Sequence, residues 1–484
     1  MIRSSPRSSA VVGSSPFSAE HLKSLGVYVA AKLIAEWRPN TADWLVSARE
    51  LGRVLQKIVI DEPDRWIHES LKIIATLKEP VYIAHYLSGV ASVCESEVFS
   101  IEEILEAITF TRTHPWAPTI LGDDDYQYDP DWRGVEQAGV EVLKKLADCD
   151  RYRDNQLDIA WKIIHEEVER LGEESSIVSG ADDPYERAIN RSCTRSFEAA
   201  FSLMGSEYRL SKLVRPKVFE LLEWALSLEG QDGAEFRAII APRIGFIRFV
   251  APDWVDKNRE RIFGSAGLDD LRRLTLDQAL KWGQPNRWLL EHYVVEINDA
   301  IGRGIDRALE HVVIGMLWAV PGYAVEEVIS RLKSDSAQLS RAGELLGRIL
   351  RKSETNKDYL DRAMEFWRSA ITTKVPDGLL GFGWFSEVSQ LDDQEWLDAT
   401  LGSLTVSNGR IDWAHNVAER LFAMKVSPLV LDAINWLVRG APAGWDRPQI
   451  MEVAVRILTN ARTEFSSIDE FSRLNTSLQE RGVI

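Results

Sequence analysis

The chain has 484 residues, 45% of them hydrophobic and 27% charged, and carries a formal net charge of -17. That length buries several cores. The acidic balance opposes non-specific binding to nucleic acid or anionic lipid, and no apolar run approaches the ~20 residues of a membrane span. Tryptophan occurs 17 times, which suits wide helix–helix seams better than thin sheet layers. The cysteines Cys94, Cys149 and Cys193 lie far apart without metal spacing. They read as small core residues of a cytoplasmic protein.

Taken in chain order, residues 1–17 are serine-rich, lack a signal-like apolar run and predict a disordered leader. Helix starts follow at Ser18 before Ala19-Glu20, Thr41 before Ala42-Asp43-Trp44, Asp61-Glu62-Pro63, and Ser100 before Ile101-Glu102-Glu103. Breaks fall at Arg38-Pro39-Asn40, Glu79-Pro80, Arg215-Pro216 and Gln284-Pro285-Asn286. Apolar stripes at steps of three and four run through Trp44, Ala48, Leu51, Leu55 and Ile58 and through Val218, Leu221, Leu222, Ala225 and Leu228. A third stripe runs through Ile450, Val453, Ala454, Ile457 and Leu458. Two long loops, His114–Pro130 and Glu173–Asp182, and a glycine-rich soft break at Thr372–Gly383 are candidate boundaries. Ile244–Val250 is the one strand candidate, and the helical spacing before it assigns it to helix.

These signals predict roughly twenty helical segments of ten to twenty residues. The expected fold is all-α: an irregular α-solenoid of stacked antiparallel helix pairs, similar to HEAT or tetratricopeptide stacking, with no fixed repeat period. Its expected blocks are 18–172, 183–371 and 381–484.

A search for chemistry gives little. No phosphate-cradling Gly-x-x-x-x-Gly-Lys loop and no Gly-x-Ser-x-Gly elbow occurs. His165-Glu166-Glu167-Val168-Glu169 has Glu where a zinc helix needs its second His, which leaves a solvated charged face. Asp123, Asp124, Asp125, Asp129 and Asp131 lack the Gly and bidentate Glu of a calcium loop. His85 reads as a packed helical histidine, and Asp392-Asp393 as carboxylates favoured at a helix N-terminus. No cofactor or metal is expected. Arg187, Arg191 and Arg195 form the best local charge feature: steps of four place them along one helix face. The stripe would either grip an acidic partner or pair within the chain with acids such as Glu220 or Glu223.

Several phrases recur in a familiar order. They are Asp61-Glu62-Pro63-Asp64-Arg65-Trp66, Pro80-Val81-Tyr82 to Leu87-Ser88-Gly89-Val90, Asp129-Pro130-Asp131-Trp132, and Asp183-Pro184 to Ala188-Ile189-Asn190. Asp253-Trp254-Val255 to Ile262-Phe263, Phe382-Gly383-Trp384-Phe385 and Asp392-Asp393-Gln394-Glu395-Trp396-Leu397 complete the series. From about Leu45 onward the chain thereby resembles the C-terminal helical sensor region of bacterial antiviral STAND (NLR-like) NTPases. In that family an effector and an ATPase precede the helices, and the helices grip a phage protein. This chain departs by lacking the ATPase and the effector, and by reading Arg191-Ser192-Cys193-Thr194 where a small residue such as Gly is expected.

The resemblance implies a bacterial, cytoplasmic, ligand-sensing module of antiphage defence without intrinsic catalysis. Its partner would be a phage protein or an ATPase or effector on a separate chain, with no nucleic acid and no membrane. The alternatives are a scaffold or adaptor with a host partner, a remnant of a larger STAND NTPase, or an enzyme with an unrecognised site.

Overall fold

The computed structural model describes residues 14–38, 46–95, 100–113, 131–169, 183–264, 270–352, 356–441 and 446–484. Within them the chain is all-α. No strand forms among the described residues, and one isolated parallel β-bridge joins Ser14 to Val46. The helix start at Thr41, the loops His114–Pro130 and Glu173–Asp182, and the acids Asp123, Asp124, Asp125 and Asp129 lie outside the described residues.

Capping explains where many helices begin. Ser18 accepts from the His21 amide at 3.2 Å, and Asp131 from the Gly134 amide at 3.0 Å. Asp183 accepts from Tyr185 and Glu186, and Asp392 from Gln394 and Glu395. Pro80 and Pro216 each open a helix at its first position. Ala48, Leu51, Leu55 and Ile58 are buried on Ala48–Asp61, and Val218, Leu221, Leu222 and Ala225 on Pro216–Ser227. The stripe from Ile450 to Leu458 is buried on Asp446–Phe465. Ile244–Val250 is a helix.

Two expectations are corrected. Several helices are much shorter than ten residues, among them Pro63–Trp66, Pro184–Ile189 and Arg287–His292. Their ends are fixed by caps and prolines that periodicity alone does not register. The charged face at His165–Glu169 is also not wholly solvated: Glu167 is buried against Arg112, which reaches Glu166 at 2.9 Å as well.

The chain divides into two compact units, Met1–Ala279 and Leu280–Ile484. In the first, helices pack in two rows. One row runs Ala48–Asp61, Pro80–Ser92, Trp132–Asp148, Ser192–Ser211. The other runs Val27–Glu36, Ser70–Leu77, Ile101–Thr113, Asp154–Glu169, and the last of these also meets Ser192–Ser211.

The second unit keeps the same plan more regularly. Its first row is Ala308–Leu317, Ser336–Lys352, Asp377–Glu387, Ala414–Ala423, Asp446–Phe465. Its second is Val325–Leu332, Lys357–Thr372, Asp393–Val406, Pro428–Gly440, Asp469–Glu480. Each member touches its chain neighbour and the next of its own row, so consecutive elements alternate between rows.

Asp377–Glu387 is a 3₁₀ helix in a position where its neighbours in the row are α-helical. Its three residues per turn align Leu379, Phe382, Phe385 and the following Val388, all fully buried. The expected soft break at Thr372–Gly383 therefore overlaps a packed element whose period is three. It lies so close to Ser336–Lys352 that a Cβ on Gly381 would stand 1.9 Å from the Ser340 carbonyl oxygen. The Gly381 amide donates to Ser340 Oγ at 2.9 Å.

Candidate functional site

In the second unit one surface gathers arginine and tryptophan. Ser336–Lys352 buries Leu339, Ala342, Leu346 and Leu350 on one face. Steps of three and four put Arg341, Glu344, Arg348 and Arg351 together on another. Glu344 bridges two of them, accepting from Arg341 Nη1 at 2.5 Å and from Arg348 Nη1 at 3.1 Å. The three arginine side chains remain 51%, 47% and 44% exposed in chain order.

The close seat of the 3₁₀ helix carries the surface onward. Gly347 leaves room for Trp384, so the Arg348 guanidinium lies over the Trp384 ring at 5.5 Å. Trp384 stacks on Trp413 with ring centroids 4.2 Å apart and planes 16° from parallel. Both indoles are half-buried.

Trp413 has a left-handed backbone, φ 59°, and immediately precedes Ala414–Ala423. That conformation is costly for a bulky side chain and is held by its surroundings. Its Nε1–H donates to Glu387 Oε1 at 3.0 Å. Asn416 donates to the same oxygen at 3.2 Å, and Arg351 pairs with Oε2. Burial alone would push the Glu387 carboxyl up, but the bonds from Arg351 and Trp413 hold it below the ordinary carboxylate range. Beyond Trp413 the line continues through His415, 3.2 Å from Asp446. The result is a ladder across four consecutive members of one row.

At its other end the ladder opens into a surface cavity of about 410 Å³. Apolar walls come from Ile301, Ile305, Leu309 and Leu345, with Trp282 and Arg341 also lining it. Arg307, another lining residue, grips Glu310 with both ends of its fork at 2.9 and 3.2 Å, so that pair is self-satisfied. The size falls within the range of ligand sites.

The arginines singled out in the sequence lie in the first unit, and not on one helix. Arg187 is in Pro184–Ile189, while Arg191 precedes Ser192–Ser211, which carries Arg195. The break at Asn190–Arg191 interrupts the step of four. Arg187 reaches Glu235 at 3.2 Å; Arg191 reaches Glu235 at 3.0 Å and also pairs with Asp232. Arg195 donates to Gln137 at 3.1 Å. The acids are thus Asp232 and Glu235, where Glu220 and Glu223 were expected, because Gly230–Ile240 packs against Pro184–Ile189. Glu235 is 1% exposed, so the cluster is built into the fold.

Other sequence candidates sit quietly. His85 packs against Gly52, with Nδ1 3.2 Å from Gln56 Oε1, and Asp393 pairs with Arg420 at 3.0 Å. Cys94 and Cys193 are buried, and burial pushes the Cys94 thiol up to about 12. Among the described residues no group of three His, Cys, Asp or Glu side chains converges on a metal site, and no helix is long and apolar enough to cross a membrane. Sequence reading missed the ladder, although Arg341, Arg348 and Arg351 at steps of seven and three were legible. Their meeting with Trp384 and Trp413 was not, since it depends on the 3₁₀ geometry.

The chain matches no protein-family model, and a search of curated proteins finds no match.

Proposed function

We propose that this chain is a protein-recognition module without intrinsic catalysis, an α-solenoid acting as a ligand sensor in a bacterial, cytoplasmic antiphage defence system related to STAND NTPases. The two-row packing supports the reading: elements that bury surface mainly against their neighbours leave an extended face for a partner. The ladder adds the residue types that anchor interfaces, tryptophan and arginine held half-exposed by neighbours. The placement in defence rests on the resemblance alone.

The test is a crosslinked pull-down of the tagged chain from phage-infected and uninfected bacteria, read by mass spectrometry. Enrichment of one phage protein on infection is the expected outcome. A constant host partner across several phages would replace the sensor reading with that of a scaffold.

A further inference from the structure

We propose that Asn408–Gly409 is a modification site gated by the fold: the asparagine stays intact while its turn is closed and becomes aspartate and isoaspartate once the turn opens. It is the single Asn-Gly pair in the sequence. The site does not depend on what the chain recognises.

The chemistry uses only the chain and water. The Gly409 amide nitrogen gives up its proton to a base from solvent and attacks the side-chain carbonyl carbon of Asn408. The new C–N bond closes a five-membered imide, and the departing amide group takes a proton and leaves as ammonia. Glycine suits the attacking position because no Cβ obstructs it. Water then opens the imide at one of its two carbonyls. One product is aspartate; the other is isoaspartate, whose main chain runs through the former side-chain methylene. Overall one water enters, one ammonia leaves and a neutral amide becomes a carboxylate, with nothing oxidised or reduced.

The closed turn blocks the first step. Just beyond the end of Asp393–Val406, Asn408 is left-handed at φ 55° and Gly409 follows at φ 80°. The Gly409 N–H donates to the Leu404 carbonyl at 2.7 Å, the bond that closes this kind of helix end. The nitrogen must give up that bond before it can attack. Ser407 Oγ donates to the Arg410 carbonyl at 2.5 Å, and Arg410 reaches Asp377 at 2.7 Å, so both flanks are tied. Asn408 itself is exposed, so solvent reaches it and the backbone alone withholds reaction.

Isoaspartate does not fit back. Gly409 sits where a Cβ would stand 2.0 Å from the Trp436 carbonyl oxygen, and a Cβ on Gly440 would stand 2.2 Å from the Gly409 carbonyl carbon. An extra main-chain carbon before Gly409 pushes it off this seat against Pro428–Gly440. A transient opening thereby becomes a lasting loss of the seam. Aspartate, by contrast, keeps the main chain and tolerates the left-handed backbone.

For the test, the full chain is held in mildly alkaline buffer: folded, in urea below the unfolding transition, and in urea above it. Peptide mapping by mass spectrometry follows the amide-to-acid mass gain at position 408, and an isoaspartyl methyltransferase labels the isoaspartate. Arg410→Gln, which frees one flank, and Asn408→Gln, whose longer side chain disfavours the ring, run beside the wild type. If Arg410→Gln fails to fold, the urea series alone reads the gating.

Conversion should be slower by about tenfold or more in the folded chain than in the unfolded one, and should climb with urea below the transition. It should be several-fold faster in folded Arg410→Gln and absent from position 408 in Asn408→Gln. The isoaspartate-bearing chain, isolated and returned to native buffer, should melt below the wild type. Equal rates in folded and unfolded chain, or no conversion in urea, overturns the proposal. So does a folded-state rate unmoved by both urea and Arg410→Gln, or a modified chain that melts with the wild type.

Discussion

Arg191 and Arg348 each meet a glutamate, but in different surroundings. Glu235 is buried beneath Arg191, whereas Arg348 and Glu344 meet at the surface. Removing one partner of a buried pair leaves an under-compensated charge, while a surface pair contributes little. Arg191→Ala is therefore expected to cost about 2–4 kcal/mol in urea unfolding, less than a full buried-charge penalty because Arg187 and Gln231 still reach Glu235. Arg348→Ala is expected to stay within about 0.5 kcal/mol; equal costs would mean that burial does not separate the two clusters.

Two histidines contribute to the acid response at the same scale. Burial pushes both His85 and His311 down to about 4, with Arg53 and Arg49 adding to the effect at His85 and the His311 Nε2 contact to the Leu280 carbonyl opposing it. The unfolded chain protonates them near ~6.5 and so binds more protons below that pH. Their contribution to stability is complete above pH ~6.5 and is lost as pH falls towards about 4. Urea midpoints measured between pH 7.5 and 4.5 should drop across that window, less steeply in His85→Gln with His311→Gln; identical slopes would remove the histidines from the account. The sequence correctly marked His85 as packed but could not see its neighbour Gly52. Nor could it supply Asp232 and Glu235 as the partners of Arg191, because that requires the docking of Gly230–Ile240.

Between elements, arginine recurs as a clamp on the carbonyl ends of helices. Arg209 reaches Ala147 at 2.9 Å, Arg362 reaches Leu317 at 2.8 Å and Arg481 reaches Arg439 at 2.5 Å. Arg237, buried, donates to Leu226, Arg261 and Ile262. Arg420 donates to Phe385, Val388 and Leu391 while lying over Trp396 at 4.5 Å. Terminal carbonyls lack partners inside their own helix, and a cation there also meets the negative end of the dipole.

The 3₁₀ element shows what helical periodicity misses. Its residues were in plain view as Leu379, Phe382 and Phe385, but at a spacing of three that a search for steps of three and four alternating passes over. Gly381→Ala should destabilise by about 2–3 kcal/mol or more, since the Ser340 carbonyl cannot withdraw as a flexible side chain would. Thermal melting checks this, and a variant melting with the wild type would show that the seat is looser than its distances state.

At the scale of the molecule, the all-α class and the helix starts after Ser18 and Ser100 and at Pro63, Pro80 and Pro216 were legible, because caps, prolines and stripes are local signals. The two-row order within each unit was expected only as a style of packing. Which helix meets which depends on contacts between residues far apart in sequence, and the unequal lengths of the elements hide any period. The ladder stayed hidden for the same reason: its residues span Arg341 to Asp446 and meet only when the row has formed.

The 3₁₀ helix is fastened on two sides, by the Gly381 seat against Ser336–Lys352 and by the Arg420 bonds from Ala414–Ala423. A pull on the C-terminal helices would load the Arg420 bonds before it reached the Gly381 seat. Loss of the helices beyond Ala423 would leave Arg341, Arg348 and Trp384 on the elements that carry them.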